Sequence, residues 1–336
     1  MPAPEGRWRP TLTAWRPRLG PDFLAVALGI LWLGDAILQL QPRMFTPAFA
    51  GQVLYSTALM YQPPGLSGFL FAVARLEAAN LTATTLLIAA VQLAVGAALI
   101  WPATRRAGLV ASAAWASAVW VLGEGMGFLA TGTASLWSGA PGAALIYLAL
   151  SLLALRGRRH PTLWLRTGVW LWTIYWGMGA VLDLAWRYPP GAVMAYNLQS
   201  AAQSAPGPLQ SLDYQLARLA FQLQWPMVVA FTFAYLLLAA GVWKKALRRP
   251  ALFFGLLLLS AFWVLGQGLG GAFTGVATDV NTAPLMALLA AVLLSATGSP
   301  TGAQAPEGGA TAKKRDPAMT YSPTPLPGQY HRRWRA

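Results

Sequence analysis

The chain contains no cysteine, only two histidines and only ten acidic residues in 336. The first absence removes disulfides, thiolate metal sites, cysteine-ligated iron–sulfur clusters and a cysteine nucleophile. His160 and His331 both lie in arginine-rich polar stretches, which excludes bis-histidine haem inside an apolar bundle. Charge of either sign is scarce: 10% of residues are charged, against about 25% in a soluble globular domain. So few charges cannot cover a water-facing surface, but they can serve a lipid-facing one.

Long apolar runs are what the sequence has instead. About 20 apolar residues span the ~30 Å hydrocarbon core of a bilayer. Eight runs approach this length: 23–40, 81–101, 107–129, 143–155, 168–185, 226–243, 251–270 and 284–294. The fourth and eighth are short and need their flanks. About twenty polar, basic and proline-containing residues precede the first run, and no small-residue cleavage site comes after it. It reads as a retained signal anchor.

The 24 basic residues would suggest nucleic acid if they formed one face, but they sit in alternate connectors. With the N-terminus in the cytoplasm, the inner segments hold Arg7, Arg9, Arg16 and Arg18, then Arg105 and Arg106, then Arg156, Arg158, Arg159 and Arg166. They continue with Lys244, Lys245, Arg248 and Arg249, and with Lys313, Lys314, Arg315, Arg332, Arg333 and Arg335. Arg43, Arg75, Arg187 and Arg218 remain outside. Lys/Arg bias of this kind sets orientation, and it requires an even number of spans. Both termini are then cytoplasmic in an inner membrane, and nucleic acid is not a partner. Residues 297–336, rich in Gly, Pro, Ala and Thr with basic clusters, read as a disordered tail able to rest on anionic lipid.

The sequence also repeats. Residues 117–127 (SAVWVLGEGMG) match 260–270 (SAFWVLGQGLG) at an offset of 143. At the same offset Arg105-Arg106 meets Arg248-Arg249, and Ala74-Arg75-Leu76 meets Ala217-Arg218-Leu219. At 144, Trp32 meets Trp176. These anchors predict two tandem four-helix units, 22–156 and 157–296, after a basic segment 1–21. Four spans return the chain to its starting side, so the repeats are parallel. The expected fold is an all-α integral membrane protein of eight transmembrane helices. Each unit carries a long outer segment, 41–80 and 186–224, whose Pro-Gly-broken apolar stretches predict short interfacial helices.

Ionisable groups inside a membrane cost about 2.5 kcal/mol or more at its centre, which makes them functional candidates. Asp35, Glu124 and Asp183 qualify, and Gln267 is the counterpart of Glu124. Arg75 and Arg218 stand at the outer starts of the second spans. These six are the candidate ligand-binding or proton-site residues, expected to meet in an outward-facing polar cavity in each unit. The alternative is a packing role, with the acids reaching headgroup water or tying helices together. No metal site is expected, and no catalytic residue is assigned. The Gly123-x-Gly125-x-Gly127 and Gly266-x-Gly268-x-Gly270 runs lack the strand of a dinucleotide loop. Close helix approach is the preferred explanation, and a backbone opening onto the cavity is the other. The sixteen tryptophans suit interfacial anchoring. They also suit a flat ligand, so a quinone is a candidate cofactor, although none is evident.

The first span with Ala27-Leu-Gly-Ile-Leu-Trp, the second with Val91-Gln-Leu-Ala-Val-Gly-Ala-Ala-Leu and the turn Thr104-Arg-Arg-Ala-Gly-Leu resemble the DoxX/DoxD-like membrane family. The likeness covers about half of each unit, and Gln92 stands where that family often has Glu. The resemblance implies four-helix membrane units, in some members linked to thiosulfate- or sulfide-dependent quinone reduction or to redox stress. Three functions are expected from it and from the residues: a redox- or quinone-associated subunit with a membrane redox partner, a small-solute transporter, and a structural or assembly subunit of a membrane complex.

Overall fold

The computed structural model describes residues 19–185, 188–189 and 191–297. The N-terminal arginines, Trp186, Arg187 and the proposed tail from residue 298 lie outside them. The described residues are helical and contain no strand.

A helix occurs at each of the eight apolar runs. They are α1 (Pro21–Gln39), α3 (Leu81–Ile100), α4 (Arg105–Leu122), α5 (Ala143–Arg159), α6 (Pro161–Leu184), α9 (Trp225–Gly241), α10 (Lys245–Ala261) and α11 (Thr282–Thr297). The two long connectors supply α2 (Pro64–Ala79), α7 (Ala192–Ala202) and α8 (Gly207–Leu223), with shorter helical turns over residues 42–59. Among the described residues three segments are long and apolar enough to cross a membrane: α1, α3 and α10 with its π-helical last turn, Phe262–Gly266. A fourth is added if α8 and α9, which meet at 103°, form one broken span. Of the others, α4 and α5 carry arginines in a terminal turn, and the 24-residue α6 carries Arg166 and Asp183 and is not among these apolar segments.

Within the first half α1 packs on α3, α3 on α4, α4 on α5, and α5 back on α1. Within the second, α6 packs on α9, α9 on α10, α10 on α11, and α11 back on α6. Contacts of α5 with α6 and of α11 with α5 and α1 merge both halves into one core. The α1–α3 crossing is close because it is built on glycine. A Cβ at Gly29 would stand 2.9 Å from the Gly96 carbonyl oxygen, and a Cβ at Gly96 would stand 2.9 Å from that of Gly29. Small residues at such a crossing bring two backbones together. Deeper in the first half, Trp32 Nε1 donates to Ser112 Oγ at 2.8 Å, and Ser112 and Ser151 share a hydrogen bond of 2.8 Å. These bonds join α1, α4 and α5 without leaving polar atoms unpaired.

One end of the bundle is basic. Asp22 at the start of α1 pairs with Arg105 at 3.3 Å and with Arg158. Beside them Leu19 N–H donates to Ser295 Oγ, and Arg249 Nε donates to Thr297 Oγ1 at 3.0 Å. The start of α1, the start of α4 and the ends of α5 and α11 therefore share one end, as the charge pattern requires of Arg105 and Arg158.

The third and seventh runs end earlier than expected. The runs 107–129 and 251–270 each predict a single helix. The regular helix stops at Leu122 in one and at Gly266, after the π turn, in the other. Left-handed backbone takes over beyond each stop: Gly125, Met126, Gly127 and Phe128 at φ +53°, +57°, +61° and +59°, and Gly268, Leu269, Gly270 and Gly271 at +52°, +56°, +69° and +68°. Gly125, Gly127, Gly268 and Gly270 provide a left-handed turn in place of the expected close helix approach, whereas Gly266 does sit at a close approach, to the Trp137 carbonyl.

Candidate functional site

At the end of the bundle opposite Asp22 a cavity of about 240 Å³ opens among α1, α3, α4 and α5. Glu124 reaches it because the helix ends at Leu122 and gives way to the left-handed turn. Its Oε1 accepts the Ala144 N–H at 2.9 Å and so caps the start of α5. Its Oε2 is buried and has no hydrogen-bond partner. A carboxylate at a helix N-terminus is favoured by the helix dipole.

Asp35 lies on the buried face of α1, and its Oδ2 accepts the Tyr147 hydroxyl at 2.6 Å. Gln39 and Gln92 complete the polar wall. Both are buried, and both have an amide oxygen without a partner. Trp32, stacked on Tyr147 at 4.2 Å between ring centres, and Trp115 give the aromatic wall.

The second half adds to this site. Asp279, in the turn before α11, lines the cavity. Its Oδ1 accepts the Asn281 N–H at 2.7 Å and its Oδ2 the Thr278 hydroxyl at 2.8 Å. Glu77 at the end of α2 lines it as well. Burial raises the Asp279 carboxyl above its ordinary value, and the Thr278 and Asn281 bonds offset part of that rise. Burial also raises Glu77.

Both groups thus hold their protons more tightly in the folded chain than in the unfolded one. Their effect on stability is most favourable below the ordinary carboxylate range, and it is lost as pH rises through the raised folded values. Thermal midpoints in detergent should therefore fall as pH is raised through the acidic range toward neutrality. Asp279→Asn should flatten that slope, and an unchanged slope in the variant would count against a buried Asp279.

The other sequence candidates separate from this cavity. Arg75 and Arg218 are exposed on α2 and α8, and neither lines it. The expected meeting of acids with arginines is corrected accordingly: no lysine, arginine or histidine lines the cavity among the described residues. Asp183, with Oδ2 unpartnered, borders a separate recess of about 30 Å³ near Tyr188 and Trp225. Gln267 is bonded on both sides of its amide. Its Nε2 donates to the Leu136 carbonyl and Thr282 Oγ1, both at 3.2 Å, and its Oε1 accepts the Ala283 N–H at 3.3 Å. It caps α11 as Glu124 caps α5.

Further bonds recur at matching places. Trp120 Nε1 donates to the Pro141 carbonyl at 2.7 Å, and Trp263 Nε1 to the Val280 carbonyl at 3.0 Å. Arg105 Nε donates to the Leu99 carbonyl and Arg248 Nε to the Val242 carbonyl. The Thr131 hydroxyl donates to the Phe128 carbonyl and the Thr274 hydroxyl to the Gly271 carbonyl, both at 2.7 Å.

Sequence reasoning missed Tyr147 and Asp279. The tyrosine sat in an apolar run like any interfacial aromatic. Asp279 lay in a connector of the other half, where only the polar start of the next helix (Thr278, Asp279, Asn281) marked it. Compared with protein-family models, with curated proteins and with solved structures, the chain finds no match.

Proposed function

We propose that the chain is a multi-pass membrane protein, crossing eight times as two parallel four-helix repeats, and that the acidic cavity of its first repeat binds a small solute for transport. The observation that carries the solute site is the set of buried, half-satisfied polar groups around that cavity. Burying such groups without partners costs free energy, and a bound solute offsets that cost.

Several observations support the membrane reading. Ile30, Ile37, Leu87, Val181, Phe233, Phe253 and Leu257 are exposed on the helices, giving an apolar exterior. The arginines gather at one end and the cavity lies at the other. At the basic end Arg106, Arg156, Arg159 and His160, with several leucines, line a groove of about 860 Å³ that suits an anionic lipid. The matched bonds of Glu124 and Gln267, of Trp120 and Trp263, and of Arg105 and Arg248 support the repeat.

A quinone-associated redox role, which the DoxX/DoxD-like resemblance implies, draws on one specific observation. The stacked Trp32–Tyr147 pair offers a flat wall to a planar ligand.

The test uses the absence of cysteine, since any introduced thiol is then the only one. Cysteines at Ala103 and His160 should be labelled from one side of intact inner-membrane vesicles, and cysteines at Gln203 and Asn281 from the other. Labelling of Ala103 and His160 from opposite sides, or a folded form soluble without detergent, overturns the topology. Mass spectrometry of the protein purified in mild detergent should find a small solute that Asp35→Asn loses. Co-purified quinone would move the assignment to the redox reading. A stable complex with other membrane subunits and no small molecule would move it to an assembly role.

A further inference from the structure

We infer that the solute of this cavity is an amphiphilic amine, a primary ammonium head on an apolar body, entering from the lipid side between α3 and α4. The inference rests on the solute-binding reading above and adds the chemistry of the ligand.

The unpartnered atoms around the cavity are mostly acceptors. Among the fully buried atoms, Asp35 Oδ1, Gln39 Oε1, Gln92 Oε1 and Glu124 Oε2 have no hydrogen-bond partner, against one donor, Trp115 Nε1; the Gln39 and Gln92 amide nitrogens are less deeply buried donors, and they leave these four oxygens unpaired. Three of these four side chains are more than nine-tenths buried: Asp35 at 0%, Gln39 at 2% and Gln92 at 5% exposure. A ligand must therefore bring donors. An ammonium group brings three N–H donors and no acceptor.

The charge points the same way. When ionised, Asp35, Glu124 and Asp279 repel one another across the cavity, and no cationic side chain among the described residues lines it to relieve them. A carboxylic acid or phosphate ester would add to that repulsion, and a neutral ligand would leave it in place.

A bare metal ion fits poorly. No three Asp, Glu, His or Cys side chains among the described residues converge as metal ligands, whereas a divalent cation takes six or more oxygens. An organic cation needs no such convergence. Its charge is met by a single carboxylate, and aromatic side chains add to its attraction; Trp32, Trp115 and Tyr147 are the aromatic residues that line the cavity.

The remaining wall defines the body of the ligand. Leu87 on α3 and Leu122 on α4 line the cavity and are themselves 64% and 38% exposed. The two helices are held together at the basic end, where a Cβ at Gly108 would stand 2.8 Å from the Ala98 carbonyl carbon. The cavity's exposed leucines lie at the opposite ends of the same helices. In a bilayer such an opening faces acyl chains, and it admits an apolar body with its head directed to Asp35 and Glu124.

The experiment measures binding of phenethylammonium to the full chain in lipid nanodiscs by calorimetry, with empty nanodiscs as the blank. 2-Phenylethanol and phenylacetate serve as the neutral and anionic comparators. Phenethylammonium should saturate one site, and 2-phenylethanol should bind about ten-fold weaker or worse, the size expected for loss of a charged hydrogen bond. Glu124→Gln keeps an acceptor for Ala144 N–H, and it should weaken the amine by a similar factor, as should Asp35→Asn. Asp183→Asn, in the separate recess, should leave binding unchanged.

Equal binding of the amine and the alcohol overturns the inference, as does amine binding that survives both Glu124→Gln and Asp35→Asn with unaltered melting. Should either variant fail to fold, the amine-to-alcohol ratio on the unmodified chain still decides, and Gln92→Leu gives the side-chain test. Failure of the amine while another small molecule co-purifies and is lost in Asp35→Asn would refute this inference and leave the solute-binding reading intact.

Discussion

Gly127→Ala should destabilise the protein by roughly 3–5 kcal/mol, and Gly270→Ala by only about 1–2 kcal/mol. The two glycines occupy matching positions in the left-handed turns, at φ +61° and +69°. Any L-residue there meets a backbone penalty of about 1–2 kcal/mol, which accounts for the whole expected effect at Gly270. At that position a Cβ would lie 3.1 Å from the Val280 carbonyl, and small shifts relieve it. At Gly127 the same Cβ would fall 1.9 Å from the Pro141 carbonyl oxygen and 2.2 Å from its carbon. Backbone cannot rotate away as a side chain does. The Pro141 carbonyl also accepts the Trp120 indole N–H, and Gly142 and Ala143 lead directly into the helix capped by Glu124. The added methyl should therefore distort the acidic cavity as well as the turn. Chemical denaturation of the two variants in the same detergent measures the difference, and equal losses would contradict the close approach at Pro141.

How much of this arrangement was legible in the sequence depends on the property each residue type reports. Apolar runs located the eight long helices, because burial and lipid exposure both select apolar residues over a helix length. The same signal overran at residues 123–129 and 267–270, because Gly, Met, Phe and Leu are apolar whether the backbone is right- or left-handed. Arg105 and Arg158 were placed correctly at one end, since charge at connectors is a direct cost of burial. Arg75 and Arg218 were misjudged for a specific reason. What recurs in Ala74-Arg75-Leu76 and Ala217-Arg218-Leu219 is the buried alanine, at 3% and 1% exposure, and the arginine one position on points outward. Glu124 and Gln267 were recognisable as a pair from the matching segments 117–127 and 260–270, and both cap the next helix, a task that carboxylate and amide oxygens perform equally. Only Glu124 keeps an unpartnered oxygen on the cavity. Asp279 escaped because its partners in the site belong to the other half of the chain.

Trp137→Ala should cost about 3–5 kcal/mol and create a second, aromatic cavity in the second half. At the offsets of 143 and 144 that relate the halves, Asp35 corresponds to Gly179, Gln92 to Tyr235 and Val119 to Phe262. The groups that leave space and polarity in the first half are thus replaced by a glycine and two aromatic rings. The space over Gly179 is taken by Leu136, whose Cδ1 lies 2.4 Å from where a Cβ would stand. Trp137 is next in the chain, 5% exposed, with its ring centre 4.7 Å from that of Phe262 and 5.2 Å from that of Phe231. Leu136 of the first half packs over Gly179 of the second, and Asp279 of the second half lines the cavity of the first, so each half sends a loop residue into the other: a leucine that fills, and a carboxylate that leaves a cavity acidic. The second half has in this way become the packed support of the first. Removing the Trp137 ring should leave a dry, ring-lined void of the kind that takes small aromatic molecules. Indole should then raise the thermal midpoint of Trp137→Ala and leave that of the parent chain unchanged, since only a ligand with a site in the folded state shifts the equilibrium. A loss below about 1 kcal/mol, or an indole effect of equal size on both proteins, would show that Trp137 does not fill the second half.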